Sequence, residues 1–331
     1  VTLDLAGYAL TRAGTSSAKL FNIGSGGKLT INDTGSAGSI ESSYPVQLKS
    51  GAAFVLNGGS ITSTKGAAVD IYTSAENVLV EINGGAVNAA SSDNAIGVRG
   101  KANVVVNING GKITTGSNNR LAMYISGDKE DSIQVNITSG EITSNGQTIQ
   151  AYSGAEINIS GDAVISSATG TAISTQSGYG VVELNVTGGT IKTEGARAYA
   201  VYARESSDVN ISGGAVSGGY GLRASDSADV AVSGGTVEGS ISAISVSDSA
   251  NVTVTGGAFN KDVSGYIDSS AAVAEFSAEG KKTYVVGDTI AEKAAEAAAG
   301  TEINVTKGSV ALTDVSTDVK VKNTGDAEVT V

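Results

Sequence analysis

The chain has 331 residues, with 45 glycines but no cysteine, histidine or tryptophan, and its formal net charge at pH 7 is -12. The lack of cysteine excludes disulfides and thiolate chemistry, and the lack of histidine removes the most common general base and metal ligand. The negative charge argues against nucleic acids and anionic membrane surfaces as partners, and no segment is apolar for long enough to predict membrane insertion.

An eight-residue phrase first appears at Leu3–Leu10 and then recurs along most of the chain. Its first, third and eighth positions are apolar, its second and fourth are usually polar, and Gly-Gly or a substitute follows them. The clear copies start at Phe54, Val80, Val106, Val135, Ile157, Leu184, Val209, Val230 and Val252. These starts are about 21 to 29 residues apart, a period that indicates a solenoid of stacked coils.

Each coil is expected to contain three short strands. The alternation at the start of the phrase predicts a half-buried strand, and the glycines supply a tight corner before a second, shorter one. A further strand precedes the next copy, as in AVDI (68–71) and AMYI (122–125). We therefore predict an all-β fold, a right-handed single-stranded parallel β-helix of about ten coils and roughly 50 Å in length.

Stacking of like residues explains the composition of the phrase. Ile108, Ile137 and Ile159 are expected to line one shared interior, which no single coil could bury alone. On the outside, one column of asparagines is expected to form a hydrogen-bonded ladder along the stack. Its members are Asn107, Asn136, Asn158, Asn185 and Asn210.

The predicted β-helix covers residues 1–264, and residues 265–331 form a C-terminal module. This module is expected to contain one helix over 289–299, with Asp288 as the N-cap and Gly300 as the stop signal, followed by further strands. It is either a cap over the end of the rod or a linker to further domains. Because the phrase is already present at Leu3, we expect the chain to be a fragment of a longer protein.

The strand that precedes each phrase carries the candidate binding face. Its outward positions are rich in tyrosine and arginine, the residues most enriched at recognition hot spots. The candidate residues are Asp70, Tyr72, Arg99, Tyr124, Tyr152, Tyr202, Arg204 and Arg223. The alternative is that tyrosine, which favours strands, merely decorates a sheet surface.

Stacked acidic residues in the turn before the phrase form a weak candidate metal site. Glu205, Asp226 and Asp248 are in register there, with Asp208 and Asp229 beside them. Carboxylates this close together repel unless a cation lies between them, so calcium is conceivable, but ordinary solvated turns are the simpler explanation. The acidic loop GDKED (127–131) is also interpreted as a solvated turn, and no set of residues predicts a catalytic site.

Three segments carry a resemblance to a known group of proteins. VTLDLAGYAL (1–10), KLTINDTGSAGSI (28–40) and VTVTGGAFNKDVSGYI (252–267) resemble the pectate-lyase-like β-helix regions of extracellular adhesin-like proteins from Gram-positive gut bacteria. The resemblance covers nearly the whole chain but specifies the fold far more strongly than the ligand. It implies a secreted, cell-surface protein, attached through regions outside this sequence.

The sequence therefore predicts a non-enzymatic bacterial surface adhesin or stalk that binds a glycan or a host or partner protein through the flat face. It is expected to be a monomeric rod within a longer chain, with no cofactor. The alternative is a polysaccharide-processing β-helix enzyme of the lyase or glycosidase type. An ice-binding surface would need regular Thr-x-Thr columns, whereas the outward columns mix Asn, Ser, Tyr, Arg and Glu.

Overall fold

A computed structural model describes residues 1–12, 17–90, 93–116, 121–127, 133–176, 178, 180–313, 315, 316, 318–324 and 327–330. The regular secondary structure is almost entirely β, with 57% of residues in strands and 3% in helix, and the stacked parallel strands form a β-solenoid of about ten turns, as predicted. No helix in this part of the chain is long and apolar enough to cross a bilayer.

The first five coils contribute fourteen strands. In chain order they are β1 (Thr2–Asp4), β2 (Ala9–Thr11), β3 (Phe21–Ile23), β4 (Lys28–Asn32), β5 (Ser39–Ser42), β6 (Val46–Leu48), β7 (Ala53–Leu56), β8 (Ser60–Ser63), β9 (Val69–Ile71), β10 (Glu76–Ile82), β11 (Ala86–Ala89), β12 (Ile96–Val98), β13 (Ala102–Thr115) and β14 (Met123–Ser126). The long strand β13 passes through the glycine corner, so it supplies the first two strands of its coil.

The later coils continue the same order. They are β15 (Ile133–Ser144), β16 (Ile149–Tyr152), β17 (Ala155–Ile159), β18 (Val164–Ser167), β19 (Ile173–Gln176), β20 (Val182–Val186), β21 (Thr190–Thr193), β22 (Tyr199–Ala203), β23 (Asp208–Ile211), β24 (Ala215–Ala224), β25 (Asp229–Val246) and β26 (Asn251–Phe259). The strand β25 runs through both corners and makes a whole coil by itself, and β26 begins the next coil.

Corresponding strands of successive coils pair in parallel and form three sheets along the rod. Sheet 1 contains the first strand of each coil, sheet 2 the strand after the glycine corner, and sheet 3 the strand that precedes the next phrase. Apolar side chains from all three sheets point inward and form one continuous core. In sheet 1, Ile108 pairs with Ile137 and Ile137 with Ile159, and all three are buried, which confirms the predicted interior.

The predicted asparagine ladder is present on the outside of sheet 1. The amide of Asn136 donates to Oδ1 of Asn107 at 2.9 Å, and Asn158, Asn185 and Asn210 each donate to the preceding member at 3.1 Å. A second ladder, which the sequence analysis did not identify, lies nearer the N-terminus. It joins Asn32, Asn57, Asn83 and Asn109, which occupy the fourth position of their phrases.

The parallel stacking ends where the C-terminal module begins. Its elements are β27 (Val273–Ala278), β28 (Lys281–Val286), α1 (Thr289–Ala295), β29 (Glu302–Lys307), β30 (Ser309–Ala311), β31 (Lys320–Asn323) and β32 (Glu328–Thr330). The strand β28 pairs antiparallel with both β26 and β27, and the module has a second apolar cluster of its own. This reversal of direction closes the parallel stack at β26.

The predicted helix is shorter than the sequence indicated. It begins at Thr289 as expected but ends at Ala295, because Ala294 is its last buried side chain and nothing packs against the exposed residues 298–300. Asp288 stands at the predicted N-cap position, but its side chain makes no capping hydrogen bond and its backbone is already helical. Gly300, the predicted stop, does not end the helix: it lies beyond the C-cap Glu296, in a turn where its φ is 84°.

Candidate functional site

Sheet 3 brings the predicted binding residues onto one outer surface. Each coil places two outward positions there, separated by one buried residue, and the strands keep register from coil to coil. One column, in stacking order, contains Asp70, Gly97, Tyr124, Gln150, Ser174, Tyr202, Arg223 and Ser245. The other contains Tyr72, Arg99, Ser126, Tyr152, Gln176, Arg204 and Ser225. Tyr72 is 48% exposed, and the other seven predicted binding residues are half-buried.

At the N-terminal end of this surface, Arg99 is bound to an acidic partner. Its Nη1 atom lies 3.0 Å from Oδ1 of Asp70, and the other carboxylate oxygen of Asp70 accepts a hydrogen bond from Gln47 at 2.9 Å. Gly97 leaves room for this contact, because a Cβ atom there would lie 3.3 Å from Asp70 Oδ1 and 3.5 Å from the guanidinium carbon of Arg99, close enough to require a small shift. The same guanidinium lies 5.6 Å from the ring centroid of Tyr124.

In the middle of the surface, polar side chains link neighbouring coils. Gln150 donates to Gln176 at 3.4 Å, and Gln176 donates in turn to the carboxylate of Glu205 at 3.0 Å. Tyr152 is the aromatic residue of this region, and its ring lies against Gly178, where an added Cβ would be 2.5 Å from a ring carbon. Long side chains therefore cover this part of the surface.

Three tyrosines form a cluster towards the C-terminal end of the surface. The ring of Tyr199 is 4.8 Å from that of Tyr202 and 5.2 Å from that of Tyr220, measured between centroids, and both pairs are tilted. Only Tyr202 of this cluster was predicted from the sequence. The other two tyrosines could have been found from the repeat spacing, because Tyr199 stands three residues before Tyr202, and Tyr220 stands at the same distance before Arg223.

Two arginines flank the tyrosine cluster. The guanidinium carbon of Arg204 lies 5.1 Å from the ring centroid of Tyr202, a favourable cation–π distance. Arg223, which is paired with Tyr202 across the sheet, donates from Nη1 to Ser245 at 2.7 Å and from Nη2 to Ser247 at 2.9 Å. The Nε atoms of both arginines are shielded from solvent and have no hydrogen-bond partner.

The acidic turn residues lie at the edge of sheet 3, where the chain turns towards sheet 1. Glu205, Asp226 and Asp248 all have positive φ angles, of 57°, 60° and 60°. Asp226 accepts hydrogen bonds from Ser225 and from the backbone N–H of Glu205, and Asp248 accepts one from Ser247. The carboxylates of Asp226 and Asp248 thus bind the turns themselves, which gives these two residues a structural role.

No group of three or more acidic residues close enough to hold a metal ion occurs in the part of the chain that the structure describes. Calcium binding at this turn therefore gains no geometric support. Most of the acidic loop GDKED falls in residues 128–131, which lie outside the described residues.

A different set of acids is brought together on the outside of sheet 1. Glu156, Glu183, Asp208 and Asp229 are paired in sequence across four successive coils. The pKa of the Asp208 carboxyl is raised, first by burial and then by the charges of Asp229 and Glu183. Amide groups bind the ends of this column, with Gln134 on Glu156 and Asn251 on Asp229.

The fold and its decorated surface define the molecule as a parallel β-solenoid with one sheet rich in tyrosine and arginine. Comparison of the chain with protein-family models, with curated proteins and with solved structures found no match. Inferences about function therefore rest on the chemistry of sheet 3.

Proposed function

We propose that the chain is a non-enzymatic binding rod, an adhesin or stalk region of an extracellular bacterial surface protein. It holds sheet 3 towards a glycan, or towards a protein on a host or bacterial surface. The observation that carries this proposal is the alignment of Tyr124, Tyr152, Tyr202 and Arg204 on the outside of one continuous parallel sheet.

The physical basis is the presentation of amphipathic side chains on a rigid support. Tyrosine and arginine combine apolar area with directional hydrogen bonds, and half-buried side chains lose little conformational entropy when a ligand binds. The continuous core and the asparagine ladders stiffen the rod along its axis. A repeat array of this kind keeps widely separated contact residues at a constant spacing, which suits a long ligand.

The experiment is a binding screen of the protein against arrays of glycans and of surface proteins. A variant with Tyr124→Ser, Tyr152→Ser and Tyr202→Ser is expected to lose binding while its thermal unfolding curve keeps one cooperative transition. Tyr8→Ser is the matched control, because Tyr8 is 77% exposed and lies on the first coil outside sheet 3. Unchanged binding by the triple variant would remove sheet 3 as the binding surface.

A second assay separates this proposal from polysaccharide processing. The protein is incubated with acidic polysaccharides, with and without calcium, and reducing ends and unsaturated products are measured. We expect no turnover. Turnover that is lost in Arg223→Gln or Asp226→Asn would replace the binding proposal with an enzymatic one, because both side chains lie on or beside sheet 3. Gel filtration of the same protein tests whether the rod is monomeric.

A further inference from the structure

The tyrosine cluster and its two arginines form one contiguous patch on two successive coils. We call Tyr199, Tyr202, Tyr220, Arg204 and Arg223 the aromatic-basic patch. Strand β22 carries Tyr199 and Tyr202 and is followed directly by Arg204, and strand β24 carries Tyr220 and Arg223. The two strands pair in parallel. The patch thus combines three adjoining phenol rings with two guanidinium groups on two neighbouring strands, which are spaced about 4.8 Å apart.

Within the part of the chain that the structure describes, the two arginines of the patch differ from Arg99 in having no carboxylate partner. Arg99 is neutralised by Asp70 at 3.0 Å. Among the described residues, no carboxylate oxygen lies within 4.0 Å of the guanidinium nitrogens of Arg204 or Arg223. The patch therefore has two positive charges that no carboxylate of the described residues contacts, in a chain whose net charge is -12.

The nearest acidic residues in the sequence are already bound by other donors. Glu205 accepts a hydrogen bond from Gln176, and Asp226 accepts hydrogen bonds from Ser225 and from a backbone N–H. These contacts hold the two carboxylates in the turn, where neither forms an ion pair with Arg204 or Arg223. Because these nearby carboxylates do not pair with the two arginines, both arginines keep their affinity for an anion from outside.

Both guanidinium groups also have donors to spare. An arginine has five N–H donors, and Arg223 uses two of them on Ser245 and Ser247, which hold the group in place. Its Nε and that of Arg204 have no hydrogen-bond partner among the described residues, but both atoms are shielded from solvent, so a ligand from outside meets the Nη groups instead. An oxyanion in the plane of the guanidinium, at its Nη edge, supplies acceptors for the remaining N–H donors.

We propose that the aromatic-basic patch binds an anionic saccharide, with a carboxylate or sulfate group on Arg204 and Arg223 and sugar rings against the tyrosines. This rests on the proposed function, in which sheet 3 is a binding surface, and it specifies the ligand and the subsite. Carboxylate and sulfate groups both offer two or more oxygen acceptors that a guanidinium can bind in bidentate fashion, and the tyrosine rings offer apolar area with a hydroxyl at the edge.

An acidic peptide fits this surface less well than a saccharide. Peptides that bind to sheets commonly add a strand at an unpaired edge, where backbone groups supply much of the affinity. The strand β22 is paired with β19 on one side and β24 on the other, and β24 is paired in turn with β25. Only side chains are presented at the patch, which favours recognition of rings and charged groups.

The test measures binding of two pairs of saccharides by calorimetric titration. Hyaluronan oligosaccharide is compared with its methyl ester, and dextran sulfate with dextran, so that each pair differs only in the anionic group. We expect binding of the hyaluronan acid, of dextran sulfate or of both, with affinity that falls as salt is added. Equal binding of the charged and neutral members, or binding of none of the four, would overturn the proposal.

Variants locate the subsite. Arg204→Gln is expected to lower the affinity for the charged saccharide at least about tenfold, as loss of a charge-assisted hydrogen bond implies, and Arg204→Lys should restore part of it. Lys192→Gln is the matched control, since Lys192 lies on β21 in sheet 2 of the same coil and its loss changes the net charge equally. An equal effect of both glutamine variants would mean nonspecific attraction and would contradict the subsite.

Further comparisons separate the possible failures. Poly-glutamate that binds as tightly as the saccharide, with the same dependence on Arg204, would show an acidic-peptide site instead. If the array screen finds a ligand that depends on Tyr124 and Tyr152 but not on Arg204, the binding surface stands and the anionic subsite is wrong. Thermal unfolding of Arg204→Gln and Arg204→Lys confirms that both variants are folded at the assay temperature.

Discussion

The Nη1 atom of Arg99 lies 3.0 Å from Oδ1 of Asp70, which stands 29 residues earlier in the chain and one coil away. This ion pair fixes two outward side chains of sheet 3 against each other. Both residues were predicted to belong to the candidate binding face, but each charge is compensated by the other within the protein. Arg99 and Asp70 therefore support the surface, and the unpaired arginines lie further along the rod.

Breaking the Arg99–Asp70 pair should lower the stability of the rod modestly. Asp70 has a side-chain exposure of only 15%, against 32% for Arg99, so the charge of Asp70 is largely shielded from water. We expect Asp70→Asn to lower the free energy of unfolding by about 1 kcal/mol, as for a partly exposed pair with charge-assisted hydrogen bonds. Urea denaturation of Asp70→Asn, of Arg99→Gln and of the double variant measures the coupling between the two residues, and strictly additive effects would show that the pair contributes nothing.

Truncation of one core isoleucine should be far more costly. Ile137 is fully buried between Ile108 and Ile159, so Ile137→Ala leaves a cavity that the stacked coils cannot easily close. The expected loss is about 2 to 5 kcal/mol in the free energy of unfolding. Chemical denaturation measures it, with Ile137→Val as the milder comparison at about 1 kcal/mol. A loss below that of the valine variant would contradict the continuous core.

The asparagine ladder predicts a difference between an inner member and an end member. Asn158 donates to Asn136 and accepts from Asn185, whereas Asn210 only donates, to Asn185. Asn158→Ala should therefore cost about 1 kcal/mol more than Asn210→Ala, since it also leaves the amide of Asn185 without its ladder acceptor. Thermal or urea unfolding compares the two variants, and equal losses would mean that the ladder bonds contribute little.

The acidic column on sheet 1 predicts a substitution that stabilises the fold. The pKa of Asp208 is raised by burial and by the charges of Asp229 and Glu183. Because the folded state holds this proton more tightly than the unfolded state, the free energy of unfolding falls as the pH rises from the ordinary carboxyl pKa through the raised one. Asp208→Asn should thus stabilise the protein at neutral pH by a few tenths to about 1 kcal/mol.

The pH dependence provides the check on this prediction. The advantage of Asp208→Asn should vanish below the ordinary carboxyl pKa, where the carboxyl is protonated in both states, and it should shrink with added salt. Glu238→Gln is the control, because Glu238 is exposed and stands opposite Ser217, away from the acidic column. If Asp208→Asn destabilised the fold at neutral pH, the column would not be repulsive.

The glycine corners predict a position-specific intolerance to alanine. Gly214 has a φ of 76°, and a Cβ there would lie 2.7 Å from the backbone oxygen of Gly188 in the preceding coil. Gly26 has a similar φ of 70° but nothing within 4 Å of its Cβ position. Gly26→Ala should cost about 1 to 2 kcal/mol from backbone strain alone, and Gly214→Ala should cost clearly more. Similar melting temperatures for both variants would disprove the close contact between coils.

The periodic part of the chain could be predicted almost completely from its sequence. A repeat places like residues above one another, so the alternation of Ile108, Asn107 and their equivalents indicates both the interior and the outer ladder. The helix was predicted less well, because an alanine-rich stretch has helix propensity along its whole length. Its actual end at Ala295 depends on where burial stops, and burial is not written in the local sequence.

The candidate site was predicted in its columns but not in its contacts. Strand register places Tyr202 beside Arg223, and this register can be predicted from the spacing of the repeats. The tertiary structure alone shows that Arg99 is neutralised while Arg204 is not, and that Tyr199 and Tyr220 complete the cluster.

The amino-acid sequence by itself determined the solenoid, its three sheets and its asparagine ladder, because each follows from short-range periodicity repeated from coil to coil. The folded structure decided which charges are paired, which tyrosine rings touch and where the helix stops. These outcomes depend on side-chain reach across a strand spacing of about 4.8 Å and on the room that a residue such as Gly97 leaves for a neighbour. Spatial proximity of this kind arises only when the coils are stacked.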